Sequence, residues 1–168
     1  MTGGGTDVFT PAQRSAVMRR IKGKDTGPER AVRRILRTAG IGYRLGGCGL
    51  PGRPDIVMQG RRTVIFVHGC FWHGHDCPRG ARRPKANAAY WLAKIERNRA
   101  RDAAAATTLE AAGWRVIIVW ECGLKTPGFG DRLTTDLRQA AALAASESSS
   151  TRPRAPSRAP GVSGLETK

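Results

Sequence analysis

The sequence predicts an α/β domain in which helices pack on a mixed β-sheet. Three observations carry this. Residues 28–39 place Val32, Ile35, Leu36 and Ala39 at helical spacing between a start and a stop signal. Residues 63–67 and 114–120 are short apolar runs with the β-branched and aromatic content of strands. Between those runs a long helix is expected over residues 88–112, closed by Gly113.

Taken in order, Thr10 before Pro11 marks a helix start, and the segment to Ile21 reads as a short basic helix. Thr26, Gly27, Pro28 and Glu29 have capping-box spacing at the head of the second helix, and Gly40 ends it. Residues 43–45 and 55–58, a turn at Gln59 and Gly60, and residues 63–67 read as strands of one antiparallel sheet. Residues 69–86 are full of Gly, Pro and basic side chains and read as a loop held by something other than a core. The run at 114–120 reads as a buried strand, and a last helix is expected over 132–145. This order of elements is close to the core shared by many nucleases, although fold alone does not give function.

A chain of 168 residues with 40% hydrophobic content builds one ordinary core. Residues 1–7 are polar with consecutive glycines, and 146–168 are rich in Ser, Pro and Arg without an apolar period, so neither end offsets the entropy of ordering. The folded unit is expected over 8–145, between a flexible N-terminus and a disordered tail. The formal charge of +16 lies mostly on that unit and calls for a polyanionic partner. No apolar run is long enough to span a bilayer, and no signal-like segment is present, so no membrane role and a cytoplasmic, intracellular location are expected.

All three histidines, His68, His73 and His75, fall in one short segment beside Cys70 and Cys77. Cys70, His75 and Cys77 can present three ligands from a single tight loop, and Cys122, just past the 114–120 strand, can close a tetrahedron. That is a Cys3His set, the closed structural type of zinc site. Cys122 by itself reads as an ordinary buried thiol; the cluster in a coreless loop favours metal. Cys48, between glycines, is left as a free thiol.

Asp55 follows Pro54 at the start of one strand, and the next strand ends in Phe66, Val67 and His68. Many nucleases hold magnesium with a Pro-Asp on one strand and an acidic-x-Lys on its neighbour, because a hard cation must sit against the scissile phosphate. Here Phe66 and His68 stand at the acidic and lysine positions. The second protein ligand then falls to a backbone carbonyl, that of Val67.

Four blocks carry a specific resemblance: Leu50-Pro51-Gly52-Arg53-Pro54-Asp55, Val64 to His73 with Phe71-Trp72-His73 at its end, Tyr90-Trp91-Leu92-Ala93-Lys94-Ile95, and Gly113 to Cys122. Together they are similar to the very short patch repair (Vsr-type) mismatch endonucleases, over about residues 18–124. The resemblance implies a restriction-endonuclease-like fold, a structural Zn2+, and a Mg2+-dependent nick 5′ to the thymine of a T:G mismatch, the product of 5-methylcytosine deamination. It further implies that Asp55 binds magnesium, that His73 activates the attacking water, and that His68 assists at the phosphate. Glu29 would order the water or metal shell while also serving as the capping carboxylate. Asp102 matches a position that orients His73, though an acid on a charged helix face is commonly just solvated. The chain departs from the family's usual pattern at Val67, where a Thr hydroxyl is lost and the carbonyl kept, and at Gly74 and Asp76, which replace histidines.

Phe71, Trp72 and Trp91 make sense as wedges between base pairs, since aromatic insertion unstacks a duplex and a mismatch opens more cheaply. Trp114 and Trp120, inside an apolar strand, read as core. Arg19, Arg20, Lys22, Lys24, Arg79, Arg82, Arg83 and Lys85 are expected at phosphates, positioning without specifying sequence. By resemblance the basic helix carrying Met18 approaches the minor groove. The expected partner is double-stranded DNA bearing a T:G mismatch, bound by a monomer, with other mismatch-repair proteins as further candidates. Two other readings share these features: a restriction-type endonuclease on intact DNA, and a zinc-stabilised DNA-binding protein without catalysis.

Overall fold

The computed structural model describes residues 23–47, 49–82 and 87–150, with side chains through residue 142. The basic helix expected at 10–21 with Met18, Arg19 and Arg20, and also Lys22, Cys48, Arg83, Lys85 and the chain from 151 onward, lie outside the described residues. Helix α1 (Gly27–Thr38) starts at Thr26, whose hydroxyl accepts the Glu29 N–H, with proline in the first turn. It stops where Gly40 takes φ of 69° and the Ile41 N–H reaches back to the Leu36 carbonyl at 2.9 Å, satisfying a terminal carbonyl that α1 cannot pair itself.

Strands β1 (Arg44–Leu45), β2 (Ile56–Met58) and β3 (Thr63–His68) form the expected antiparallel set, with Ile56 opposite Ile65 and Met58 opposite Thr63. Helix α2 (Ala88–Ala111) then returns the chain so that β4 (Arg115–Trp120) pairs parallel to β3, placing Val119 beside Val67 and Trp120 beside His68. A parallel neighbour needs such a crossover, so the long helix and the mixed sheet are one feature. The sheet order is β1-β2-β3-β4, and α3 (Phe129–Ser150) follows.

Alternation along the strands sorts the core into two faces. Ile56, Met58, Ile65 and Val119 pack with Val32 and Leu36 of α1 and Leu133 and Leu137 of α3. On the other face, Val57 and Val64 pack with Leu109 of α2 and with Trp114. The layers are therefore α1 and α3, sheet, α2.

Two expectations are corrected. The 114–120 run is not a buried strand: only Val119 of β4 is buried, and Ile118 is 43% exposed. Among the described residues β4 is the sheet edge, paired on one side only, and an apolar run marks a strand without saying whether both flanks are covered. The last helix is longer than 132–145. It begins at Phe129, which packs against the α1 face of the core, and runs to Ser150, since neither Gly nor Pro interrupts the sequence after Gly130 until Pro153.

Candidate active site and metal centre

The entry to β2, the C-terminal end of β3, the loop that follows it and the middle of α2 converge on one cleft of about 970 Å³. Asp55, Val67, His68, His73, Glu29 and Asp102 all line it, as do the cations Arg53, Arg79, Lys94 and Arg101. Gly52 lets the loop before Asp55 come this close to α2: it has φ of 70°, and a Cβ there would sit 2.7 Å from that of Ala105.

The Asp55 N–H donates to the Ile65 carbonyl at 3.1 Å, and its carboxylate Oδ2 accepts the Val67 N–H at 2.7 Å. Burial pushes the Asp55 carboxyl above the ordinary value; the Val67 bond, His73 and Arg33 pull it down, while Glu29 pushes it up. A half-buried carboxylate beside the end of β3 at Val67 has the chemistry of a hard-cation ligand.

His73 Nδ1 contacts the carboxylate of Asp102, 29 residues further along the chain. An ionised carboxylate can only accept, so Nδ1 is the donor in this pair, and the neutral tautomer it selects keeps the lone pair on Nε2. His68 stacks on His73, with ring centroids 3.8 Å apart and planes 7° from parallel. Burial first, then the neighbouring His73, lowers the His68 pKa to about 4, with Asp102 opposing. His68 is therefore neutral at pH 7. Although donor atoms of His68, His73 and Asp102 lie within 4.8 Å of one another, an imidazole binds metal in its own plane, so two parallel stacked rings do not converge on one ion.

Glu29 caps α1 and faces the cleft together. Its carboxylate accepts the Thr26 hydroxyl at 2.8 Å and the Asp25 N–H at 2.9 Å. The reach goes to the residue before the cap, one position beyond the usual capping box.

Phe71, Trp72 and Trp91 form one aromatic cluster, with centroid separations of 5.1, 5.6 and 6.0 Å. Phe71 and Trp72 are half-buried, but Trp91 is only 8% exposed, which corrects the expectation that all three rings stand out as wedges. Its place on α2 puts it behind the other two, with Tyr90 against its outer side at 5.3 Å. The Lys94 ammonium sits over the Trp72, Tyr90 and Trp91 rings at 5.4–5.8 Å.

Cys70, His75, Cys77 and Cys122 bring one donor atom each within 4.8 Å of the others. The Cys122 N–H approaches the Cys70 sulfur at 3.4 Å, and the Cys122 sulfur lies 3.6 Å from His75 Nδ1. His75 Nε2 is turned to Asp76 at 3.5 Å, and Nδ1, which accepts the Cys77 N–H at 3.2 Å, is the nitrogen aimed at the thiols. Cys70 is fully buried, and burial raises its thiol to about 11; the contact with His75 lowers Cys77 to about 6. Three sulfurs and one imidazole, converging around a thiol with no solvent access, fit a closed metal site. Gly80 is required beside them, because any Cβ there would collide with the His75 and Cys70 carbonyls.

Several site residues escaped the sequence reading. Asn98 donates to the Trp72 carbonyl at 2.9 Å, one turn of α2 before Asp102 holds His73. Their i, i+4 spacing was a signal that both face the same loop. Lys94, in the same helix, was visible without a role. Trp120, read as core, instead contacts His68 and His75. Met18 lies outside the described residues.

Comparison with known proteins gives consistent matches. The family model described as DNA mismatch endonuclease Vsr matches residues 6–79. The chain is 50% identical over 123 residues to the type II nicking enzyme V.XorIIP of Xanthomonas oryzae pv. oryzae, covering 73% of this chain and 90% of that protein. It is 48% identical over 120 residues to V.NmeAIP of Neisseria meningitidis, covering 71% and 85%. It is 44% identical over 119 residues to the DNA mismatch endonuclease Vsr of Escherichia coli, covering 71% and 76%.

Proposed function

This chain belongs to the Vsr family of DNA mismatch endonucleases, and we propose that it nicks one strand 5′ to the thymine of T:G mismatches in a magnesium-dependent reaction. The observation that carries this reading is one cleft in which Asp55 and the His73–Asp102 pair stand with the Trp72 ring, against which Phe71 packs edge-on. Hydrolysis and mismatch opening need those two sets of groups together.

Asp55 and the Val67 carbonyl would hold magnesium, which when bound supplies Lewis acidity at the scissile phosphate. His73 Nε2 takes the proton of the attacking water, and Asp102 stabilises the imidazolium that forms. His68, kept neutral, assists by donating a hydrogen bond to a phosphate oxygen rather than by carrying charge. Glu29, fixed by the cap of α1, orders water at the other wall. Phe71 and Trp72 enter the stack at the mismatch with Trp91 as their support, and Met18 approaches from the minor groove. Arg53, Arg79 and Arg101 meet the backbone phosphates.

Cys70, His75, Cys77 and Cys122 would hold zinc, which when bound pins the loop carrying Phe71, Trp72 and His73. The enzyme acts on DNA inside the cell as a monomer, with other mismatch-repair proteins as candidate partners. No helix among the described residues is long and apolar enough to cross a membrane.

The test is cleavage of end-labelled duplexes carrying a T:G pair, or C:G in its place, with magnesium or EDTA. A magnesium-dependent nick 5′ to the mismatched thymine is expected. Equal cutting of the C:G control would instead indicate a restriction-type enzyme, and binding without a nick in every context would indicate a DNA-binding protein.

A further inference from the structure

We infer that Trp120 is a positioning residue that holds the His68–His73 pair from the side of the metal centre. The inference rests on the active-site reading above and concerns a residue with no apparent role in the sequence. Trp120 is the last residue of β4 and the register partner of His68 across the parallel β3–β4 pair. The ladder continues one step past it, where the Glu121 N–H donates to the His68 carbonyl at 2.9 Å. Backbone pairing therefore fixes where the indole starts.

Its ring meets two histidines. It stands edge-on to His68, with centroids 5.3 Å apart and planes 73° from parallel, and leans on His75 at 4.4 Å and 37°. His68 in turn stacks on His73, which contacts Asp102. The result is a continuous run of contacts: His75, Trp120, His68, His73, Asp102. Trp120 belongs to neither apolar cluster of the core. Core packing therefore does not account for a half-buried indole at this position, whereas an edge-to-face wall for His68 does.

Without that wall, His68 is free to swing away from His73, and the stack that aligns the His73 ring loses one side. Misplacing a reacting group by about 1 Å costs on the order of 10²-fold in rate. The effect belongs to the chemical step, because Trp120 lines neither the aromatic wedge nor the cleft.

The experiment compares the full-length wild type with Trp120→Phe, Trp120→Leu and Trp120→Ala. For each, single-turnover nicking of a T:G duplex, affinity for that duplex, bound zinc, melting temperature and the NMR shifts of the His68 and His73 ring protons are measured. The expected result is a rate loss of roughly 10- to 100-fold for Leu and Ala, with duplex affinity and zinc content unchanged. Phe is expected to recover most of the rate, and the histidine ring-proton shifts should move in Leu and Ala because the indole ring current is gone. Wild-type rates in Trp120→Leu would overturn the inference. So would a rate loss that simply tracks lost zinc or lost duplex affinity, or equal rates for Phe and Leu. A wild type that does not nick T:G duplexes would mark the failure of the active-site reading instead, and loss of the NOEs between the stacked His68 and His73 rings in Trp120→Leu would still report whether Trp120 orders them.

Discussion

The imidazoles of His68 and His73 lie face to face, 3.8 Å between centroids and 7° from parallel. Two protonated rings would repel at that distance. Burial resolves this by holding the His68 pKa at about 4, while His73 has the Asp102 carboxylate at its Nδ1. The stack thus pairs a ring that stays neutral with one whose Nδ1 is held by a carboxylate.

Asp102 is expected to matter through the tautomer of His73. In Asp102→Asn the side-chain amide can donate to Nδ1, which moves the proton to Nε2 and removes the acceptor from the cleft. Single-turnover nicking should fall by about 10⁴-fold with duplex affinity retained. Combining it with His73→Ala should cost little beyond the single His73 change, since the two act as a unit. Full additivity in that double-mutant comparison would argue against the pairing.

Asp55 should trade stability for function. Its folded pKa is raised by burial, so the native state holds that proton more tightly than the unfolded chain does. The charged carboxylate therefore destabilises the fold at neutral pH, and the penalty disappears as pH falls through the ordinary carboxylate value of 3.8. In metal-free protein Asp55→Asn should melt higher than wild type at pH 7, and the gap should close toward pH 3.8. The same variant should bind mismatched duplex and not nick it. Thermal melts across pH check the first part.

His68 sets the opposite pH dependence. Its folded pKa is lowered from 6.5 to about 4, so the unfolded chain takes up the proton first as pH falls. Stability from this group is complete above pH 6.5 and is lost as pH drops toward about 4, by on the order of 3 kcal/mol. His68→Gln should flatten that stretch of the stability profile. An unchanged slope in urea titrations between those pH values would contradict the burial argument.

If Cys70, His75, Cys77 and Cys122 hold zinc, a strong chelator should loosen the loop of residues 69–82 and lower the melting temperature. Magnesium alone should not restore nicking; zinc followed by magnesium should. Cys77→Ser and Cys122→Ser should bind less zinc and show the same losses, by roughly 2–5 kcal/mol of stability if zinc closes the fold as structural sites do. Metal analysis and melting on the same samples test this.

Much of this was legible because the chemistry is local. Cys70, His75 and Cys77, sitting together without a core, mark a loop able to hold a metal, and Thr26 with Glu29 announces the head of α1. The place of Asp55 just before a strand was legible in the same way. What escaped depends on faces and long-range pairing. The contact of Asp102 with His73, legible only through the family resemblance, depends on α2 packing on the sheet and meeting the loop that follows β3. Trp91 looked like a wedge from its aromatic company, but its position on the inner face of α2 buries it. Trp120 looked like core because a strand's apolar run does not reveal that its last residue meets two histidines rather than aliphatic neighbours. Ile118 misled for a related reason, since edge and central strands share the same composition.

The most direct test of the central claim maps the cleavage of a T:G duplex at nucleotide resolution, with magnesium, for wild type, Asp55→Ala and His73→Ala, alongside the matched C:G duplex. The account requires one nick, 5′ to the mismatched thymine, made by wild type and abolished in both variants while their binding to the mismatch persists. A nick that survives in both variants, or that appears equally in the matched duplex, would contradict it.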